Sequence, residues 1–181
     1  MTRLGSDRMR RACPSVPGMV SAEAPPLAVF DIDGVLADVR HRLRHVESRP
    51  KDWDAFFAAA VHDPLLEQGA ALCRESALDC EVVYVTGRPE SCRADTLAWL
   101  AEHDLPTGRL SMRGARDRRP ARLAKPELLA RLARDRIVAV VVDDDVAVCD
   151  AYEKAGWPVL RATWMTAPEA LTRAQETEGR T

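Results

Sequence analysis

Long apolar runs are missing from this sequence: none reaches the roughly 20 residues that a helix needs to cross a bilayer. An excess of either charge is missing too. With a formal net charge of -2 and a pI of about 6.1, nothing global calls for nucleic acid or a membrane surface, so any such partner has to come from a local patch. The cysteines, Cys13, Cys73, Cys80, Cys92 and Cys149, form neither a C-x-x-C pair nor a framework spacing. That excludes a disulfide scaffold and leaves buried or idle thiols in a reducing cytoplasm, the expected location. No internal repeat is visible. Residues 1–26 are basic and rich in Pro and Ser but lack the continuous apolar stretch of a signal peptide. They read as a disordered leader, with Met9 and Met19 as alternative starts. What is there is 46% hydrophobic and 30% charged across 181 residues, the make-up of one domain with a proper core.

The ordered part is expected from about Leu27. Leu27–Phe30, Val82–Val85 and Ile137–Val142 are short apolar runs, each with a turn signal behind it, and read as buried strands. Shorter strand candidates lie near Arg109–Met112 and Val159–Ala162. Helical spacing of apolar residues marks Leu65–Leu78, Ala94–Leu100 and Glu127–Leu132, the last with Pro126 in its first turn. A further helix runs from about Val146 and is closed by Gly156 and Pro158. Strands alternating with helices predict a parallel, Rossmann-like sheet in a three-layer α/β/α sandwich.

The strong polar clusters sit just past the carboxyl ends of predicted strands, where open parallel sheets bind ligands. Asp31 and Asp33, two apart, project to one side, and Gly34 lets the backbone turn. Two close carboxylates repel unless a cation such as Mg²⁺ sits between them; one can then attack phosphorus while the other donates a proton. The plainer alternative is an acidic turn after a core strand. Thr86, Gly87 and Arg88 offer a hydroxyl, backbone N–H groups and a guanidinium suited to phosphate, or else a strand-to-helix loop with a capping Thr. Lys125 stands at the opening of the predicted helix, where anions are favoured. Asp143, Asp144 and Asp145 crowd one strand end and call for a divalent cation, or gain from the helix dipole behind them.

In order, F-D-I-D-G-V-L-A-D, V-V-Y-V-T-G-R-P-E, Lys125 and V-V-D-D-D resemble the four motifs of the haloacid dehalogenase-like superfamily, over about Leu27 to Leu160. The resemblance implies a magnesium-dependent phosphomonoesterase that works through an aspartyl-phosphate. Asp31 would be the nucleophile, Asp33 the general acid/base, and Lys125 the charge-balancing catalytic group. Thr86 would hold the phosphoryl oxygens. Mg²⁺ would be bound by Asp31, Asp143, Asp144 and the main-chain carbonyl of Asp33. Within the superfamily the sequence is similar to the 3′-phosphatase domain of polynucleotide kinase-phosphatase, through Arg42, Arg88 in T-G-R, and L-S-M-R followed by Asp117, Arg119 and Lys125. That likeness adds Arg42, Arg88 and Arg119 to the phosphate-binding residues. It departs at Ala121, where the family has an Asp four residues before the Lys, which bears on how Lys125 is held.

The insertion at about 40–63 carries Trp53, Phe56 and Phe57 and reads as a small helical cap, its aromatics packing the insertion or stacking on bases. A shallow cap suits a 3′-phosphorylated nucleic-acid end; it equally suits a nucleotide if a partner subunit of a homo-oligomer covers the site. Arg113, Arg116, Arg118, Arg119 and Arg122 with Lys125 form a basic loop that either binds a phosphate backbone or pairs with nearby acids. His41 and His45, four apart, lack the further ligands of a zinc site. The division expected is a leader at 1–26, a phosphatase domain at 27–166 and a C-terminal helix or tail at 167–181. The rival readings are a non-catalytic module that binds phosphorylated ends and a small-metabolite phosphatase or phosphotransferase.

Overall fold

The computed structural model describes residues 24–47, 49–114, 116–165 and 169–177. The leader reading, with its alternative starts and Cys13, lies outside the described residues apart from residues 24–26, as does the tail beyond Thr177. Five strands, β1 (Leu27–Phe30), β2 (Glu81–Pro89), β3 (Arg109–Arg113), β4 (Val138–Asp143) and β5 (Val159–Arg161), pair in parallel in the order β3-β2-β1-β4-β5. The helices in chain order are α1 (Arg44–Glu47), α2 (Trp53–Ala58), α3 (Glu67–Ser76), α4 (Arg93–Glu102), α5 (Ala121–Leu132), α6 (Val146–Lys154) and α7 (Glu169–Thr177).

The two-residue period of a strand sorts β1 into two cores. Ala28 and Phe30 join Val82 and Tyr84 of β2 under Ala70 and Cys73 of α3 and Trp99 and Leu100 of α4. Leu27 and Val29 join Val83 and Val85 under Ala121 and Leu129 of α5 and Val148 and Tyr152 of α6. Helices therefore cover both faces, and the expected three-layer sandwich is the observed one. Leu27 to Phe30 read as a continuous apolar run because a central parallel strand is buried on both sides.

A third apolar cluster lies outside the sheet. Leu43, Val46, Trp53, Phe56 and Phe57 of the cap pack with Cys92, with Met112 of β3, and with Met165 and Leu171. Trp53 and Phe56 meet edge to face with centroids 5.5 Å apart, and Phe56 and Phe57 do so at 5.4 Å. The three rings are buried and pack the insertion. Cys73, Cys80, Cys92 and Cys149 are free thiols, with Cys80 alone of these not fully buried. No described helix is long and apolar enough to cross a membrane.

One expectation is corrected. The helix carrying Lys125 begins at Ala121 rather than beside Pro126, so Lys125 lies within α5 and not at its opening, and Pro126 is internal. Pro126 removes one intrahelical hydrogen bond, a penalty that propensity alone would not forgive. The helix persists because Ala121, Ala124, Lys125 and Leu129 bury one face against the sheet.

Candidate active site

The sheet register brings the site together. Phe30 lies level with Val142, and the Asp31 N–H donates to the Val142 carbonyl at 2.9 Å. One residue further, Asp31 and Asp143 leave adjacent central strands side by side. Beyond Asp31 the chain reverses at once, with the N–H groups of Leu36 and Ala37 both donating to the Ile32 carbonyl at 2.8 Å. Gly34 makes that turn with φ 82°, and a Cβ there would lie 2.1 Å from Asp144 Oδ2. Only glycine permits this backbone and this approach together.

Lys125 Nζ donates to Asp31 Oδ2 at 2.7 Å and to Asp143 Oδ2 at 2.8 Å, all three groups being buried. This answers the question posed by Ala121: the ammonium is held directly by the two strand-end carboxylates, while Ala121 packs in the core. Asp144 completes the cluster, for one carboxylate oxygen from each of Asp31, Asp143 and Asp144 falls within 4.8 Å of the others. Asp145 does something else. Its carboxylate accepts from the N–H groups of Ala147 and Val148 at 2.8 and 3.1 Å and caps α6.

Three carboxylates around one ammonium are under-compensated. Burial pushes the Asp31 carboxyl up to about 7 against the opposing pull of Lys125. Burial and then the Asp143 and Asp31 charges raise Asp144 well above the usual carboxylate range, and burial raises Asp143. Lys125 goes the other way: burial disfavours its ammonium, but Asp143 and Asp31 outweigh that and hold it protonated. Asp31 Oδ1 is buried with no hydrogen-bond partner. An orphaned oxygen beside two further carboxylates is the donor set of a hard divalent cation, so the residues present fit such an ion.

Asp33 lies in a different environment. Its Oδ1 accepts from Arg42 Nη2 at 2.8 Å and from Arg88 Nε and Nη2 at 2.8 and 2.6 Å. Burial works against its ionisation, yet Arg42 and Arg88 together hold it down at about 2. Its side chain is outside the cation cluster, so its predicted metal contact is left to the main-chain carbonyl. Arg42 and Arg88, expected to face phosphate, are engaged with carboxylates. Arg42 lies 4.2 Å above the Phe56 ring, which fixes the guanidinium over the cap.

The residue that sequence reasoning missed is Asp63. Its Oδ1 accepts from Arg42 Nε at 2.8 Å, and its Oδ2 accepts from Arg42 Nη2 at 2.9 Å and Arg88 Nη2 at 2.7 Å. His41 Nε2 is 2.8 Å from the same carboxylate, and Trp99 Nε1 donates to the Asp63 main-chain carbonyl. Asp63 closes the cap insertion and belongs to no motif. Two arginines buried beside a single carboxylate require another, a demand that arises only once the fold has buried them.

Thr86 and Gly87 are buried at the irregular end of β2, where Thr86 Oγ1 accepts the Arg88 N–H at 3.2 Å. Thr86 therefore caps no helix, and its hydroxyl keeps its own proton to donate. Arg119 does not join the site. It is exposed, and its guanidinium bonds Asp117 and Glu127 at 2.8 and 2.7 Å. The basic loop is largely neutralised: Arg122 pairs with Glu176 at 2.9 Å, and Arg113 and Lys125 are buried.

The family model described as the phosphatase domain of polynucleotide kinase PNKP matches residues 25–163. No curated protein matches. Among solved structures, the chain resembles one from a Pnkp1/Rnl/Hen1 complex, with TM-score 0.64 and 22% identity over 77% of this chain and 46% of that one. It also resembles a haloacid dehalogenase-like hydrolase from Streptococcus pneumoniae (TM-score 0.57, 14% identity, 84% and 92% covered). A class C acid phosphatase from Bacillus anthracis gives TM-score 0.58 at 11% identity, with 85% and 78% covered. These likenesses show the fold, and the chain spans less than half of the Pnkp1 complex chain it matches.

Proposed function

The chain belongs to the polynucleotide kinase PNKP phosphatase-domain family, phosphatases of the haloacid dehalogenase-like type, and from that premise we propose a magnesium-dependent phosphomonoesterase that acts through a covalent phosphate on Asp31, on a 3′-phosphorylated nucleic-acid end or a nucleotide. The observation that carries this reading is the meeting of Asp31, Asp143 and Asp144 within 4.8 Å beside Lys125. Asp31, Asp143, Asp144 and the Asp33 carbonyl would hold Mg²⁺, which when bound supplies positive charge against the phosphate and the carboxylates.

The residues divide the work. Lys125 holds Asp31 by Oδ2, which leaves Oδ1 as the attacking atom. Thr86 donates its hydroxyl to a phosphoryl oxygen. Arg42 keeps Nη1 without a partner and Asp33 keeps Oδ2, a donor for the incoming anion and an acceptor for a proton. A phosphate competes with Asp33 for the guanidiniums, and each hydrogen bond it takes lets the Asp33 carboxyl rise from about 2 toward the range of a general acid. Asp33 then protonates the leaving oxygen and afterwards takes a proton from the water that hydrolyses the aspartyl-phosphate. A nucleic-acid end gains support from a second matched chain, which comes from an RNA repair complex.

The test is Asp31→Asn, with Mg²⁺-dependent phosphate release from p-nitrophenyl phosphate as the assay. Activity should fall by at least about a thousandfold while thermal unfolding stays cooperative. A folded variant that still turns over would refute the assignment.

A further inference from the structure

Beside the Asp33 half of the site lies a cavity of about 300 Å³, between α2, the turn at Glu90–Cys92 and the loop after β3. Phe57, Ala58, Pro89 and Cys92 give it an apolar wall; Ser91, Asp54, Asp95 and Arg118 are its polar groups. Two facts tie it to the reacting centre. Pro89 directly follows Arg88, and the Cys92 thiol is near enough for both Arg88 and Asp33 to act on it electrostatically.

We propose that this cavity receives the leaving group, and that it is built for a single nucleoside without a further phosphate, which selects the nucleotide over the nucleic-acid end of the two substrates proposed above. The inference rests on the phosphatase reading above, since the leaving oxygen is the one that Asp33 protonates. The size is at the small end of ligand pockets, enough for one base and sugar. The apolar wall offers a face for a base, and carboxylates accept from base N–H groups and sugar hydroxyls. Charge supplies the selectivity. Among the described residues Asp54, Asp95 and Arg118 have no hydrogen-bond or ion-pair partner, so two negative groups and one positive group line the cavity uncompensated by other side chains. A second phosphate on the same sugar would enter beside both carboxylates, a repulsion that selects against it. Among the described residues the basic loop offers no compensating track. With Arg119 and Arg122 paired and Arg113 buried, Arg116 joins Arg118 as the exposed remainder of the basic loop.

The experiment compares cytidine 3′-monophosphate with cytidine 3′,5′-bisphosphate, which share the ester to be cleaved, using the full chain with Mg²⁺. The monophosphate should have the higher kcat/KM by about tenfold, chiefly through KM. In an Asp54→Asn/Asp95→Asn variant that preference should shrink to within about twofold, with cooperative thermal unfolding as in the wild type. Equal or better use of the bisphosphate by the wild type, or a ratio that the double variant leaves alone, overturns the proposal. Hydrolysis of the aryl phosphate but of neither cytidine ester also overturns it while leaving the phosphatase reading intact. If the aryl phosphate too is untouched, the phosphatase reading falls. The cavity is then judged by equilibrium binding of cytidine: weaker binding to the double variant supports a nucleoside site, and unchanged or absent binding refutes it.

Discussion

At the ends of β1 and β4 three carboxylates share one ammonium; beside them, under the cap, two carboxylates share two guanidiniums. The first group is two charges short of neutral, and burial raises its carboxyls. The second is balanced, and its arginines hold Asp33 down at about 2. Asp31, Asp143, Asp33 and Asp63 are all buried, so the contrast does not come from exposure. The unbalanced half is shaped to gain from a dication, whereas the balanced half has no excess charge for a dication to neutralise.

Lys125→Met breaks the first half most directly. Removing the sole cation should cost about 3–5 kcal/mol in denaturant unfolding without metal, and Mg²⁺ should restore part of it. No loss in metal-free protein would mean that the three carboxylates are already protonated. In the second half, Asp63→Ala leaves two guanidiniums to Asp33 alone and should cost about 1.5–3 kcal/mol. That loss should be insensitive to Mg²⁺; a Mg²⁺-dependent rescue would erase the distinction between the halves.

Mg²⁺ itself should stabilise the wild type by about 2.7 kcal/mol at one hundred times its dissociation constant, and Asp144→Asn should remove most of that shift. Acid titration separates the halves by sign. Asp33, lowered to about 2, contributes stability above the unfolded value of about 3.9 that is lost as pH falls toward 2. Asp31, raised to about 7, does the reverse: the native state binds more protons, so metal-free protein loses stability as pH rises from about 3.9 toward 7. Calorimetry with and without Mg²⁺ should show the upper limb flattened by the metal and the lower limb unchanged. At the smallest end, Arg119→Ala should leave turnover as in the wild type, since its partners are the surface acids Asp117 and Glu127; a large loss would draw Arg119 back into the site.

The unbalanced half is legible in the amino-acid sequence, because its members sit in local patterns. Asp31 and Asp143–Asp144 each stand at the end of a run of apolar residues that reads as a buried strand. The balanced half is only partly legible. Arg42 follows from resemblance and Arg88 also from its place at a strand end, but Asp63 follows from neither, being 21 residues from Arg42 and 25 from Arg88 in sequence. Pro126 misplaces the start of α5, a local signal that burial of Ala121 and Leu129 overrides.

By itself the sequence determined the parallel α/β sandwich, since strand and helix periods and the turn residues between them are local properties. It also determined which strand ends carry acid. Which acids gather around Lys125, which one caps α6 and which one holds the arginines beside Asp33 was decided by tertiary structure. Those roles depend on register, on the closeness of Gly34 to Asp144, and on where the cap folds back. Distances between side chains from separate segments set charge balance, and no spacing along the chain encodes them.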